Sequence, residues 1–96
     1  MTDPTTLVLA SLADGDKHGY AMMEDIERFA AVRLGPGTLY GAITRLEERG
    51  LIQAVHSPDK RRRPYRLSPS GRRYLEDEAA ALTRIVNTAA RRLRPA

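Results

Sequence analysis

Two stretches of this chain carry side chains able to act on another molecule, and both would work through charge and hydrogen bonding. Between Lys60 and Tyr74 there is no acidic residue, while Lys60, Arg61, Arg62, Arg63, Arg66, Arg72 and Arg73 all fall there. Four of them, Lys60 to Arg63, crowd one turn, SPDKRRRP. Upstream, GPGTLYGAITRLEERG (35–50) sets Thr38, Tyr40, Thr44 and Arg45 at helical spacing, without negative charge in its leading turns. A short helix with hydroxyls and a guanidinium outward, beside a cationic hairpin, has the size and chemistry to read duplex nucleic acid. The helix would enter the major groove, and the arginines would meet phosphate or the minor groove. The rival reading is a module whose basic hairpin holds an acidic protein partner.

Bond-making chemistry has little to stand on. His18 and His56 are the two histidines, one at a helix opening and one at a strand end. Neither is accompanied by a carboxylate pair or a Ser-centred arrangement, so acid–base and nucleophilic catalysis lack their groups. Two scattered imidazoles are too few ligands for a metal. His18 is read as a capping or packing group, with a metal sensor using His18 and nearby carboxylates as the alternative. The expectation is no enzyme, no cofactor and no metal centre. Absence of cysteine excludes a disulfide scaffold and suits a reducing interior. No apolar run approaches the roughly 18 residues of a membrane span. MTDPTTLVLASL lacks the basic start of a signal peptide, so a cytoplasmic protein is expected.

At 96 residues the chain fits one domain, with a thin stability margin that a second copy would widen. Its net charge of +4 and pI near 10.0 favour an anionic partner. Asp3-Pro4 opens a first helix in which Leu7, Val8, Leu9, Ala10 and Leu12 follow almost without a polar break. Such a helix wants burial on most sides. Either it lies wholly in the core, or Leu7 and Leu9 give part of that surface to another chain. ADGDK (13–17) reads as a turn with Gly15 as a left-handed stop. The second helix starts near His18, with Met22, Met23, Ile26, Phe29 and Ala30 as its apolar stripe. The methionines are read as core filler.

In the third helix Leu39, Ala42, Ile43 and Leu46 point inward, while Gly37, Gly41, Thr44 and Arg45 point outward, flanked by Thr38 and Tyr40. A mid-helix Gly costs about 1 kcal/mol relative to Ala. Gly41 therefore marks close approach either of a sugar–phosphate backbone or of another helix. Tyr40 bonds phosphate or bounds the core; both readings stand at this point. Arg49-Gly50 ends the helix. Leu51–Val55 and Tyr65–Leu67 make a hairpin, with Pro64 suited to an edge. After Ser68-Pro69, residues Leu75, Ala79, Leu82, Val86, Ala89 and Leu93 step by four and three, with Ile85 widening the seam. A helix so patterned packs along another, and a second copy of the chain is preferred over folding back on its own domain. Residues 1–68 then form the DNA-binding unit and 69–96 the dimerisation helix of one continuous domain.

The order helix–helix–helix–hairpin–long helix is a winged helix-turn-helix, a mainly α fold with a small β-hairpin. The residues resemble the PadR family of bacterial transcriptional regulators in its short form with a single C-terminal helix. His18-Gly19-Tyr20, PGTLY at 36–40, RLEERGLI at 45–52, Tyr65-Arg66-Leu67-Ser68 and Gly71 carry the resemblance. Three features depart from it: Gly35 stands where Ser or Thr is frequent, Gly41 where Pro is common, and the wing lacks a Gly-rich tip. The resemblance implies a homodimer joined through the first and last helices that represses at a palindromic operator. It also implies release by small molecules bound near the dimer interface. The expected DNA contacts are Gly37, Thr38, Tyr40, Gly41, Thr44, Arg45, Lys60, Arg61, Arg62 and Arg63. The expected dimer contacts are Leu7, Leu9, Leu75, Ala79, Leu82, Val86, Ala89 and Leu93.

Overall fold

Asp3 caps the first helix by accepting the Thr5 amide at 2.9 Å, with Pro4 in the first turn. The computed structural model describes residues 2–59 and 62–95; Lys60 and Arg61 of the expected wing lie outside them. The element order is α1 (Pro4–Ser11), a 3-10 turn (Leu12–Asp14), β1 (Lys17–His18), α2 (Gly19–Ala30), α3 (Pro36–Glu48), β2 (Ile52–Ala54), β3 (Pro64–Leu67) and α4 (Pro69–Leu93). This is a winged helix, mainly α with one small antiparallel sheet. Among the described residues, no helix is long and apolar enough to cross a membrane.

α1 is the central rod, and its lack of a polar side follows from that position. Leu7, Val8, Leu9 and Leu12 are buried together with Met22, Ile26, Leu39, Ile43, Leu46 and Ile52. Leu7 and Leu9, expected between chains, keep 4 % and 1 % of their surface. The chain's own helices already cover them, so neither has surface left to offer a second copy. Ser11 is buried as well, and its hydroxyl donates to Asp25 Oδ2 at 2.7 Å, which meets the requirement on a polar group in a core.

α2 starts at the expected place because His18 caps it: its Nδ1 accepts the Ala21 amide at 3.3 Å. Met22 is fully buried, as core filler should be. Phe29 belongs to the predicted stripe but is 50 % exposed: Met22, Met23, Ile26 and Ala30 face the core, and helical phase puts residue 29 at the flank of that face. The turn before α2 also departs from expectation. Gly15 has φ 151 and ψ 173, an extended conformation on the glycine side of the map rather than a left-handed helix stop. Lys17 and His18 then form a strand.

That strand turns the expected hairpin into a three-stranded sheet, ordered β1-β3-β2. Pro64 consequently begins the central strand, not an edge. It is tolerated at the first position, where the ladder needs its carbonyl; that oxygen accepts the Val55 amide at 2.8 Å. The β2–β3 register pairs Ile52 with Leu67 and Ala54 with Tyr65.

α3, the sheet and α4 meet at one point. Gly50, at φ 71, stops α3 in the left-handed region, and the Leu51 amide donates back to the Leu46 carbonyl at 3.0 Å. Ser68 closes the joint: its amide donates to Leu51 O at 3.1 Å, its hydroxyl to Gly50 O at 2.6 Å, and its Oγ accepts the Gly71 amide at 3.0 Å. Gly71 lies directly against the Leu51 carbonyl, with no room for a Cβ. α4 leaves this joint and spans about 37 Å at 1.5 Å per residue. Tyr74 and Leu75 pack on the core, and the Arg49 guanidinium sits 4.9 Å from the Tyr74 ring centre. Farther along, Leu82, Ile85, Val86 and Leu93 are exposed by 45 %, 64 %, 63 % and 82 %. The helix thus projects, giving extents of 59 × 26 × 20 Å.

Gly71→Ala pushes a methyl into the Leu51 carbonyl, and no side-chain rotation relieves a backbone overlap. The expected loss is about 3 kcal/mol, at the upper end of overpacking penalties. Urea unfolding should show it as a lower midpoint at an unchanged slope.

Candidate nucleic-acid interface

The outward side of α3 is bare. Gly37, Thr38, Thr44 and Arg45 are exposed, Gly41 is half-covered and Tyr40 keeps 44 % of its surface. Gly35 caps the helix with extended backbone and no side-chain acceptor, which leaves leading amides able to donate to an anion. Thr44 donates its hydroxyl to the Tyr40 carbonyl at 2.9 Å. A Cβ built at Gly41 would meet only the Arg45 guanidinium, at 3.6 Å, so no second helix touches it. Among the described residues, no helix of the same chain accounts for this glycine.

Tyr40 sits at the boundary between core and solvent. Its ring faces water in part, while its hydroxyl lies against Gly19, where any Cβ would overlap it. Gly19 is thus the residue that lets α3 lean on the start of α2. Beside this contact opens a cleft of about 440 Å³ lined by His18, Tyr20, Ala21, Glu24, Tyr40 and Arg62. Tyr20 escaped the sequence reading. With Met22 and Ile26 inward, helical periodicity sends residue 20 to the opposite side, and that signal was available.

The acid-free basic run divides into two groups once folded. Arg66 donates to both carboxylate oxygens of Asp16, at 3.1 and 2.7 Å. Hydrogen bonding from Arg66 holds the Asp16 carboxyl below the usual carboxylate range, against a smaller opposing effect of burial. This pair therefore supports the fold above that range and is lost as pH falls through the lowered value. Arg72 reaches the Ala13 carbonyl at 3.5 Å and Arg73 the Ser70 hydroxyl at 3.4 Å. Arg66 ties the wing, and Arg72 ties α4, to the segment ahead of β1, while the Arg73 bond stays within the first turn of α4. Arg62 and Arg63 are exposed and form no ion pair among the described residues. The backbone of the wing turn is held by the Arg62 amide on Asp59 O at 3.1 Å and the Asp59 amide on Ser57 Oγ at 3.3 Å.

Arg45 also has no ion pair among the described residues, although its charge reaches Asp3 ahead of α1. Hydrogen bonds from Thr5 are the main cause of the lowered Asp3 carboxyl, and the charges of Arg45 and Arg49 add to it. Glu47 and Glu48 occupy the trailing end of α3, away from its opening. Among the described residues, no group of three or more His, Asp or Glu side chains could hold a metal ion.

This geometry has counterparts. The model of the transcriptional regulator PadR-like family matches residues 8–77. The chain belongs to that family. Being a PadR-like regulator, it falls among transcription factors rather than enzymes. It is 35 % identical over 77 residues to a transcriptional regulator of Mycobacterium tuberculosis, covering 78 % of this chain and 71 % of that one. It is 47 % identical over 83 residues to an uncharacterised 37.1 kDa protein of a Streptomyces fradiae transposon. That match covers 86 % of this chain but spans only 24 % of the relative's length. A PadR family transcription regulator from Clostridium difficile superposes with a TM-score of 0.86 at 25 % identity, over 97 % of this chain and 100 % of that one. A transcriptional regulator from Clostridium thermocellum does so with 0.82 at 26 % identity, over 95 % and 90 %.

Since no neighbour crowds residue 41, Gly41→Ala should stabilise this PadR-like fold by about 0.5–1 kcal/mol through helix propensity. A raised urea midpoint is the expected result; a lowered one would show that the fold itself needs the glycine.

Proposed function

We propose that this PadR-like protein binds duplex DNA in a sequence-specific manner as a homodimer and represses transcription at a palindromic operator. The observation that carries the reading is the uncovered face of α3, Gly37 to Arg45, flanked by Arg62 and Arg63 with no ion pair among the described residues. α3 lies in the major groove, with its leading amides and Thr38 on phosphate and Thr44 and Arg45 toward base edges. Gly41 admits the groove wall. The wing arginines meet phosphate, joined by Lys60 and Arg61 on sequence grounds.

The apolar stripe of α4 supports the dimer. Leu82, Ile85, Val86 and Leu93 are exposed in the single chain, and Ala79 and Ala89 lie in the same seam. Residues 69–96 act as the dimerisation helix beyond Leu75, which packs on the core. A two-fold pair reads a two-fold site, hence the palindrome. A cleft of about 570 Å³ between α1 and α4, lined by Thr2, Asp3, Thr6, Tyr74, Glu78 and Leu82, gives a small-molecule effector room beside that seam.

The test is retention of fragments of the source genome in a gel shift at two salt concentrations. Specific fragments should be held at moderate salt, and their log–log salt slope should be about 0.9 per phosphate contact. Arg62→Ala should weaken all sequences alike and flatten the slope. Arg45→Ala should relax preference at particular bases by roughly 1–3 kcal/mol. If no fragment is held, an acidic protein partner becomes the better reading. If the two variants affect specific and random DNA equally, the division of labour is wrong.

A further inference from the structure

We infer that Thr44 reads a thymine through its γ-methyl group, not through its hydroxyl. The inference rests on the placement of α3 in the major groove and names what one of its residues recognises there. A threonine on a reading helix can offer a donor, an acceptor or a methyl. Here the hydroxyl hydrogen is already committed, because Oγ1 donates to the Tyr40 carbonyl at 2.9 Å. Donation to a guanine or thymine acceptor would break that bond. Oγ1 keeps its lone pairs and can still accept from an adenine or cytosine amino group, an alternative that the Ser and Val variants below separate. The γ-methyl is the branch that the bond to Tyr40 leaves untied, on an exposed side chain.

The surroundings keep that methyl accessible. One turn earlier is Gly41, which has no side chain, and the nearest atom to its missing Cβ is Nη1 of Arg45. The Tyr40 hydroxyl lies against Gly19 at the start of α2. In the major groove thymine is the base that presents a methyl, at C5, and an apolar contact there excludes water from both groups. Beside it, the Arg45 guanidinium is a pure donor, suited to guanine O6 and N7. The reading surface therefore pairs an apolar contact with a donor fork, and it selects a thymine close to a guanine in each half-site.

The experiment uses a fragment retained by the full-length wild type, with its thymines replaced one at a time by deoxyuracil, which keeps pairing and removes only the methyl. One thymine in each half-site should be sensitive, with affinity falling roughly three- to fivefold for the loss of one buried methyl. Thr44→Val keeps a branched methyl without the hydroxyl and should preserve the discrimination. Thr44→Ser keeps the hydroxyl without the methyl and should bind thymine and deoxyuracil forms equally. Both variants sit on an exposed helix face, and circular dichroism checks that they fold. If every deoxyuracil is tolerated, or if Val loses the discrimination while Ser keeps it, the hydroxyl is the reader and the inference is overturned. Absence of any retained fragment for the wild type is a different failure. It removes the DNA reading itself and this inference with it.

Discussion

Gly71 can touch the Leu51 carbonyl because it has no side chain, and the rest of the molecule is built outward from that contact. It joins the C-terminus of α3, the first residue of the wing and the first turn of α4 within one hydrogen-bonded knot. Ser68 supplies three of the bonds. Two helix ends and a strand start would otherwise bring several unsatisfied backbone groups together. Here the Gly50 and Leu51 carbonyls and the Leu51, Ser68 and Gly71 amides are met within the knot, so α3 cannot tilt without moving the sheet and α4. The orientation of the bare helix face relative to the projecting helix is thereby a property of the backbone rather than of surface side chains.

The second constraint is the sorting of charge. A cationic run reads as one patch in the sequence, yet folding gives its members separate tasks. Arg66 grips Asp16 across 50 positions of chain, which fixes the wing against the turn ahead of β1. Such a pair is too exposed to count for much in stability. Its value lies in geometry, since a bidentate fork sets direction as well as distance. Arg62 and Arg63, four and three positions earlier, reach no carboxylate among the described residues. A partner within reach, not residue type, decides which arginine is structural.

Legibility in the sequence followed the length of each pattern. α3 and α4 each repeat their apolar positions over several turns, and caps of known chemistry (Pro36, Gly50, Ser68, Pro69) mark their ends, so both could be placed from residues alone. β1 could not. A strand of two residues, Lys17 and His18, has no period, and it exists because β3 offers an open side. Pro64 was put on an edge for want of that third strand. Leu7 and Leu9 illustrate a different limit. A helix apolar all round says that it will be covered, but the pattern is silent on whether its own chain or another does the covering. Phe29 shows the reverse case, a residue at apolar spacing that lies on the flank of the buried face, where Ala30 beside it packs on the core. On the candidate face, the outward set from Gly37 to Arg45 was legible from helical phase. The seat of the Tyr40 hydroxyl on Gly19 was not, because it depends on how two helices cross.

The exposed stripe on α4 bears on how so small a reading face could select a site. One recognition helix of 13 residues meets only a few base pairs. Discrimination adds across positions, at roughly 1–3 kcal/mol for each mismatch, so a few positions cannot single out one site among the many offered by a genome. Doubling the helix through a fixed joint raises the number of positions read and demands that the two faces lie one turn of duplex apart. A flexible link would meet the first need and fail the second. In this fold the link is a single helix that leaves the Gly71 knot in a set direction and carries its apolar residues at its far end. Packing that end against a second copy would remove Leu82, Ile85, Val86 and Leu93 from water and fix the spacing in the same step. On the proposed reading, a single packing step would answer both the exposed stripe and the spacing that the operator demands.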